Sequence, residues 1–354
     1  MIVNQWLPTA HYGDAMGDGA RRLTALLRGM GYTSDVYALD VDAALVGDVR
    51  PFAHPAALTG DITIFHYGIQ SLMTPAFRSL RGRRVLQYHN VTPAEFFAPW
   101  DRNLCLLAAR GREELATLAG HVDVALGDSE YNRRELERAG FSRTGVFPVP
   151  VNIARVRSNA RSPSLEAILD DGAMNFLFVG RIVPNKKIED HIRLAAHYLR
   201  YVDRGGRFIF VGRYDVVPTY YSAVLGMIKR QRLLGESVIF TGAVPDKELA
   251  IYYQYADVYI SLSEHEGFCV PLVEAMAAGV PVLAYAAAAV PDTLGGAGVQ
   301  FSPKNVEFAA ELLGELAFND GLRESVIAGQ HRRVADFDEA HAARALTALL
   351  GSLS

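Results

Sequence analysis

The chain has 354 residues, half of them hydrophobic, and carries a formal charge of −4. A chain of this length and composition can bury a large hydrophobic core and should divide into two domains. It has no excess of basic residues, which argues against nucleic acid as a partner. The first residues contain no charged segment followed by a long apolar run, and no apolar run approaches the roughly 18 residues of a spanning helix, so we expect a cytoplasmic protein, free or at the inner face of the membrane.

The two cysteines, Cys105 and Cys269, fall in separate halves of the chain without CxxC spacing. This usage argues against both a disulfide framework and a zinc site. We expect each cysteine to be a small buried apolar residue.

The first half of the chain alternates strand-like and helix-like segments. A strand at 2–7 precedes a glycine-containing loop with Gly13, Gly17 and Gly19, and a helix over 18–30 ends before Gly31. Further strands are predicted at 34–39, 62–67, 84–89 and 122–127, and further helices at 104–119 and 131–140, the last with Ser129 as N-cap. This βαβ series predicts a doubly wound parallel sheet that binds ligands at the carboxyl ends of its strands.

The periodic pattern breaks near residue 150, in the segment FPVPVNIARVRSNARSPS. Its three prolines, with serines and asparagines, predict a boundary between domains at 1–150 and 151–337. The second block again alternates strands and helices. Strands are predicted at 175–181, 207–213, 238–242, 257–263 and 280–285, and helices at 190–202, 219–234 and 247–256. The tetrapeptide FVGR occurs at 178–181 and again at 210–213, and we interpret the recurrence as two similar strand ends.

A short helix is predicted over 271–278, with Pro271 at its first position and Gly279 at its C-terminal cap. Its N-terminus directly follows a strand, which favours an anion, and phosphate above all. Glu274 lies one turn inside this helix and Glu266 lies in the preceding loop. Either glutamate alone is usually a solvated charge, so the interpretation depends on the whole string.

That string, EGFxxPxxEAMAxGxPV from Glu266 onward, resembles the signature of retaining glycosyltransferases of the GT-B fold, family 4, in which two glutamates are separated by seven residues. The resemblance extends over nearly the whole chain. It implies two Rossmann-like domains facing across a cleft, with the nucleotide sugar mostly on the second domain and the acceptor mostly on the first. It also implies that a C-terminal helix at 338–354 crosses back to the first domain.

The resemblance assigns a diphosphate site to the segment VGRIVPNKK, where Arg181 and Lys186 would face the phosphates. The family usually has glycine after that lysine and this chain has Lys187, so either lysine remains open as the ligand, with Lys186 favoured by spacing. A strand-end arginine offers a planar fork to phosphate oxygens and lysine adds a point charge. The other donor-binding residues that the resemblance implies are Glu274, Gly267, Phe268, Cys269, Val270, Val244 and Gly17.

In the first domain, YHN at 88–90 is similar to the family's histidine-containing strand end that faces the transferred sugar. This makes His89 a catalytic candidate beside Glu266, Arg181 and Lys186. His66 ends the strand at 62–67 and is a second candidate, on the acceptor side. A lone histidine at a strand end is more often structural, and the glycine loop at 11–19 by itself is weak evidence, because any tight strand-to-helix turn uses glycine.

Three further patterns have simpler interpretations. Arginines at 78, 81, 83 and 84 usually form a solvated connection, with contact to anionic lipid headgroups as the functional alternative. The triplet DVD at 40–42 has the form of a metal-binding DxD motif, but the family resemblance implies chemistry that does not depend on a bound divalent metal, so we interpret the triplet as a chance match and expect no metal. His265 and Cys269 lack a third orienting group for a thiol nucleophile.

The resemblance therefore implies transfer of a hexosyl group, with GDP-mannose as the expected donor, to a glycan or lipid-linked saccharide, with retention and without a cofactor. A front-face reaction and a double displacement through a carboxylate both remain open. Two alternatives are a nucleotide-sugar 2-epimerase of GT-B fold and a bilobed sugar-binding protein. A nicotinamide dehydrogenase is weaker, because neither domain begins with GxGxxG.

Overall fold

The computed structural model describes residues 1–233, 235 and 237–353 and divides into two compact units. Unit 1 comprises Met1–Ala98, Arg102–Val151 and residues 337–353, and unit 2 comprises Pro99–Asp101 and Asn152–Asp336. The segment Pro99–Asp101 was expected in the first domain. It belongs to unit 2 because the Trp100 carbonyl accepts a 2.8 Å hydrogen bond from Thr219 and the indole packs edge-on against Tyr220.

The sheet of unit 1 has seven parallel strands in the order β3-β2-β1-β4-β5-β6-β7. The reversal of order between β1 and β4 is the switch point of a doubly wound sheet. Three-residue edge strands β3 and β7 were not predicted, since they are too short to show a period. The strands are β1 (Val3–Ala10), β2 (Val36–Val41), β3 (Val49–Pro51), β4 (Ile62–Tyr67), β5 (Arg83–Tyr88), β6 (Val124–Gly127) and β7 (Thr144–Val146).

The sheet of unit 2 has six parallel strands in the order β10-β9-β8-β11-β12-β13. The predicted doubly wound fold is thus confirmed in both units. Among the described strands of unit 2, the short edge strand β13 is the one that the sequence pattern did not predict. The strands are β8 (Asn175–Val179), β9 (Arg207–Val211), β10 (Val238–Gly242), β11 (Val258–Ser261), β12 (Val282–Tyr285) and β13 (Val299–Phe301).

Helices connect the strands in both units. The helix predicted at 219–234 ends at Gln231, and Leu234 lies outside the described residues, as does Ser354. The helices are α1 (Ala15–Gly29), α2 (Thr74–Arg78), α3 (Arg102–Thr117), α4 (Glu130–Arg138), α5 (Ile153–Val156), α6 (Pro163–Leu169), α7 (Ile188–Tyr201), α8 (Pro218–Gln231), α9 (Asp246–Gln254), α10 (Val270–Ala277), α11 (Val290–Leu294), α12 (Val306–Phe318), α13 (Asp320–Val334) and α14 (Glu339–Gly351).

The last helix, α14, contributes to the core of unit 1. Leu346 and Leu350 are buried in one cluster with strand residues such as Val3 and Ile64. The chain beyond α14 is fixed by Arg83, whose Nε donates 3.1 Å to the carbonyl of Leu353.

The two FVGR segments lie side by side, since Phe178 pairs with Phe210 and Val179 with Val211 on β8 and β9. A Cβ added at Gly212 would lie 2.1 Å from the carbonyl oxygen of Gly180. Glycine is therefore required at position 212, in the second FVGR segment, because the two backbones approach each other closely there. The recurrence is a feature of adjacent strand ends, as interpreted from sequence.

Candidate functional site

The loop of residues 262–269 leads from β11 into α10 and carries Glu266. Helix α10 begins at Val270, one residue before the predicted start, and Cys269 in front of it adopts the left-handed conformation with φ of 73°. Gly279 follows the helix with φ of +75°, and the amide of Val280 donates 3.0 Å to the carbonyl of Ala275. The glycine stop predicted at this position is thus present.

Hydrogen bonds from other parts of unit 2 fix this loop. The backbone carbonyl of Asn185 accepts a 2.9 Å hydrogen bond from the amide of Glu264, and the side-chain amide of Asn185 donates a 2.9 Å hydrogen bond to the carbonyl of His265. Thr293 donates to the carbonyl of Phe268, which is itself buried. The backbone path that presents Glu266 is therefore set by hydrogen-bonding groups outside the loop.

Lys186 and Glu266 form the central ion pair. The ammonium Nζ of Lys186 lies 2.5 Å from Glu266 Oε2, with side chains 18% and 6% exposed. The next residue, Lys187, lies 3.3 Å from Glu264 and 3.5 Å from Glu189. Burial opposes ionisation of Lys187, but the charges of these glutamates outweigh it and raise its pKa.

Lys187 also has an unusual backbone, with φ of 52° and ψ of 51° immediately before α7. This left-handed conformation is the one that glycine adopts without strain. The position thus has a conformation suited to the glycine that family 4 usually places there.

Arg181 directly follows β8 and Gly180, and its side chain is exposed. Within the described residues its guanidinium has no hydrogen-bond or ion-pair partner. An exposed guanidinium at the carboxyl end of a parallel strand has the geometry for binding an anion.

Glu274 is 1% exposed, and both of its oxygens already have partners. The Tyr253 hydroxyl donates a 3.0 Å hydrogen bond to Oε2, and the Arg155 guanidinium donates a hydrogen bond to Oε1. Burial, and then the charge of Glu274, raise the pKa of the Tyr253 hydroxyl well above its usual value, so it remains a donor. Glu274 was expected to bind the donor, and in the structure its carboxylate is buried and has two protein partners.

Arg155 was missed by sequence reasoning. It lies in the four-residue helix α5, inside the proline-containing segment that was interpreted as a domain boundary, and it also lies 3.1 Å from Asp246. Its position 119 residues before Glu274 leaves no local signal that links the two.

His191 joins α7 to β11. Its Nδ1 lies 2.9 Å from the carbonyl of Lys187, and its Nε2 accepts 3.1 Å from the amide of Leu262 at the start of the loop. These two backbone partners require the neutral Nδ1–H tautomer. Burial lowers the pKa of His191 to about 4.

Of the remaining predicted donor-site residues of unit 2, Phe268 is buried and the other four, Val244, Gly267, Cys269 and Val270, are partly exposed. Gly267 and Cys269 flank buried Phe268, and Val244 follows β10. Burial, and then the charge of Glu266, raise the pKa of the Cys269 thiol well above its usual value. This disfavours a thiolate, in agreement with the rejection of a thiol nucleophile.

The predicted glycine loop of unit 1 is shorter than expected. Gly17 and Gly19 lie inside α1, because Asp14 caps the helix and accepts from the amide of Gly17. A Cβ at Gly19 would lie 2.6 Å from a methyl group of Val149, so this glycine serves helix packing. Gly17 is buried in the first turn.

His89 and His66 lie together in unit 1. His66 Nδ1 is 2.8 Å from His89 Nε2, and His89 Nδ1 is 2.8 Å from Asp128 Oδ2. On the other side, His66 Nε2 is 2.8 Å from Gln5 Oε1. Both ring nitrogens of His89 therefore have protein partners, and the sequence signalled neither Asp128 nor Gln5.

The arginine run and the DVD triplet also have protein partners. The guanidinium of Arg83 and the backbone amide of Arg84 both donate to Asp123, the guanidinium of Arg84 donates to the carbonyl of Arg78, and Arg78 lies 2.9 Å from His121. Asp42 binds the ring of His11. Across the described residues, no group of three histidine, cysteine or acidic side chains has an arrangement suited to a metal ion. None of the described helices is both long and apolar enough to cross a bilayer.

Comparisons with known proteins agree with this architecture. The family model for glycosyl transferases group 1 matches residues 167–333. A GDP-mannose-dependent alpha-mannosyltransferase of Mycobacterium tuberculosis is 31% identical over 166 residues, which are 46% of this chain and 39% of that protein. The serotype-specific mannosyltransferase WbdA of Escherichia coli is 30% identical over 131 residues, 37% of this chain and 16% of that protein. These alignments thus span less than two-fifths of either relative.

A solved structure matches the whole fold. Anabaena Alr3699/HepE in complex with UDP-glucose superposes with a TM-score of 0.78 at 18% identity, over 99% of this chain and 100% of that one. At this identity the likeness concerns the fold alone. The chain therefore has the GT-B fold, and its residues 167–333 match the family model for glycosyl transferases group 1.

Proposed function

We propose that this protein transfers a hexosyl group from a nucleoside diphosphate sugar to an acceptor hydroxyl, with retention of the anomeric configuration. The observation that carries the proposal is the ion pair between partly exposed Lys186 and buried Glu266, which lies in the loop before α10, inside the segment that matches glycosyl transferases group 1. Such a pair offers a carboxylate for sugar hydroxyls and a cation for the leaving diphosphate within one site.

We further propose GDP-mannose as the donor and a glycan or lipid-linked saccharide as the acceptor. The two curated relatives described above are named as mannosyltransferases, and one is named as dependent on GDP-mannose. The structural neighbour instead holds UDP-glucose, at lower identity. The choice of base and sugar is therefore the first point to measure.

Charge stabilisation is the proposed source of catalysis. The leaving diphosphate gains negative charge as the sugar departs, and preorganised cations near it lower the barrier most. Arg181 has an exposed guanidinium, Lys186 has a partly exposed ammonium, and the amide groups at the start of α10 add a positive dipole end. No metal ion is needed in this scheme.

No protein base is required either, because the departing phosphate can take the proton of an acceptor that attacks from the same face. Glu266 would then orient the transferred ring and favour positive charge at the anomeric carbon. The competing route is a double displacement in which Glu266 forms a covalent glycosyl-enzyme. Mass spectrometry of the protein during turnover distinguishes the two, since only the second adds a sugar to Glu266.

Ligand-induced stabilisation tests the donor directly. We expect GDP and GDP-mannose, among UDP, GDP, ADP and their sugars, to raise the melting temperature most, by an amount equivalent to about 2.7 kcal/mol at a hundredfold excess over Kd. Arg181→Gln serves as the matched variant and should lose most of this shift. A shift with UDP ligands alone would contradict the GDP assignment.

Product analysis then tests the reaction. GDP-mannose with a mannoside acceptor should yield an α-linked product, whose anomeric proton is read by NMR. Incubation with donor alone separates transfer from epimerisation, because an epimerase changes the sugar without an acceptor. An epimerised sugar with no transfer product would overturn the proposed function.

A further inference from the structure

A row of buried polar side chains crosses unit 1 at four adjacent strands. Gln5 lies on β1, His66 on β4, His89 directly after β5 and Asp128 directly after β6, and each of the three contacts along the row is 2.8 Å long. With Gln87 on β5, which binds Asp128, we call these five residues the polar row. The direction of its hydrogen bonds can be derived from its two ends.

The first end is fixed by the carbonyl of Ala20. Gln5 Nε2 lies 3.0 Å from this oxygen and 2.6 Å from Thr24 Oγ1. The Thr24 hydroxyl itself donates 3.0 Å to the same carbonyl, so it accepts from Gln5. Because a carbonyl cannot donate, the amide nitrogen of Gln5 must face Ala20, and Oε1 must face His66.

The second end is fixed by the carbonyl of Phe147. Gln87 Nε2 lies 2.8 Å from this oxygen and 2.6 Å from Asp128 Oδ1. The two amide hydrogens of Gln87 are thereby used on two acceptors. Asp128 Oδ1 thus receives a hydrogen bond, and Oδ2 is the oxygen that faces His89.

The protons between these ends can now be placed. His66 must carry a proton on Nε2, because it faces the acceptor Oε1 of Gln5. Burial, followed by the charge of His89, lowers the pKa of His66 well below its usual value, so its ring is neutral and Nδ1 accepts. The donor in the contact between the two histidines is therefore Nε2–H of His89.

One contact then lacks a hydrogen. A neutral His89 with its proton on Nε2 would present a lone pair at Nδ1 to an ionised Asp128, and two acceptors would face each other at 2.8 Å. We propose that the His89–Asp128 pair holds one additional proton at neutral pH, between Nδ1 and Oδ2. Gln5, His66 and Gln87 are the positioning residues that impose it.

This proton makes Asp128→Asn an unusual substitution. The amide of asparagine donates to His89 Nδ1 and its oxygen accepts from Gln87, so the polar row is satisfied without the additional proton. The variant loses one negative charge and one bound proton, and the net charge stays the same. His66 and Asp128 are the titratable groups whose side chains contact His89 in the described structure, so they are the groups that set its protonation.

Electrophoretic mobility of the folded full chain at about pH 7.5 measures this difference. Asp40→Asn is the matched control, because Asp40 is exposed on β2 and its loss should shift the mobility by about one elementary charge. We expect Asp128→Asn to leave the mobility of the parent protein unchanged. A shift equal to that of Asp40→Asn would overturn the proposal.

Histidine-labelled parent protein gives an independent readout that does not require Asp128→Asn to fold. In ¹⁵N NMR spectra at neutral pH we expect a proton on Nε2 of both His66 and His89 and none on Nδ1 of His66, with assignments from His66→Gln and His89→Gln. Absence of a proton from Nε2 of His89 would mean that the hydrogen bonds of the polar row run in the opposite direction, and it would overturn the inference. Neither measurement uses a donor sugar, so a failure here is distinct from a failure of the proposed function.

Discussion

The ammonium of Lys186 lies 2.5 Å from a carboxylate oxygen of Glu266, so the two residues that family resemblance selects independently are in direct contact. The neighbouring Lys187 instead contacts Glu189 and Glu264. The two adjacent lysines therefore have different partners, and substitutions can separate their roles.

We expect Lys186→Ala to lower kcat roughly 10- to 100-fold, the effect of losing one charge-assisted bond to the departing diphosphate. Lys187→Gly is the matched control. It should retain kcat and change the free energy of unfolding by less than about 1 kcal/mol, since glycine tolerates the left-handed backbone there. If Lys187→Gly is the inactive variant and Lys186→Ala is normal, the diphosphate ligand is misassigned.

The two glutamates should differ in which kinetic constant they control. Glu266→Gln should depress kcat with little effect on the affinity for the free nucleoside diphosphate, because the contacts proposed for Glu266 would strengthen as the sugar gains positive charge. Glu274→Gln should raise the donor KM more than it lowers kcat if Glu274 binds the ribose. Calorimetric titration of GDP into both variants, beside their kinetics, measures this. Unchanged nucleotide affinity in Glu274→Gln would restrict Glu274 to the internal contacts seen here.

Arg155→Met should destabilise unit 2 by about 3 to 5 kcal/mol, because it leaves the buried carboxylate of Glu274 without its cation. The double variant with Glu274→Gln should recover most of that loss. Asp246→Asn is the control for the other partner of Arg155, and we expect less than about 1 kcal/mol from this half-exposed pair. Denaturant unfolding monitored by circular dichroism gives these values. No recovery in the double variant would rule out the buried charge as the cause.

His191 should make stability fall in mild acid. Its folded pKa of about 4 lies below the unfolded value of 6.5, so the unfolded chain binds more protons between these two values. The contribution is present above about pH 6.5, is lost as the pH falls toward 4, and amounts to on the order of 3 kcal/mol. His191→Gln should flatten this part of the pH profile of unfolding, and the exposed His341→Gln should not. Equal profiles for parent and His191→Gln would contradict the assignment.

We expect transfer to survive exhaustive treatment with EDTA, because in the proposed mechanism Arg181 and Lys186 supply the positive charge at the diphosphate. The assay is product formation before and after chelation. Loss of activity that manganese or magnesium restores would show that a metal ion takes part.

Periodicity predicted the buried strands of both units because their apolar runs are bounded by turn residues. The strand at 62–67 was predicted with the bounds of β4. The edge strand Val49–Pro51 has only three residues and one proline, so it carries no pattern that distinguishes it from a turn.

The site could be predicted only where a local motif marks it. Glu266 and Lys186 lie in such motifs, and the structure brings them together. Arg155 and Asp128 lie far along the chain from the residues they bind, and a single sequence gives no measure of that proximity. The prediction of a glycine loop was wrong for a different reason. Asp14 caps α1, so the helix begins at Ala15 and includes Gly17 and Gly19.

The packing of α14 into unit 1 sets an order for folding during synthesis. Every residue of unit 2 leaves the ribosome before Leu346 and Leu350 do, although these two leucines complete the cluster around Val3 and Ile64. Unit 2 can therefore close while the nascent chain of unit 1 still exposes apolar surface, which is the state in which chains aggregate or bind chaperones. A premature stop before Leu346 would leave that surface permanently uncovered, however complete unit 2 is.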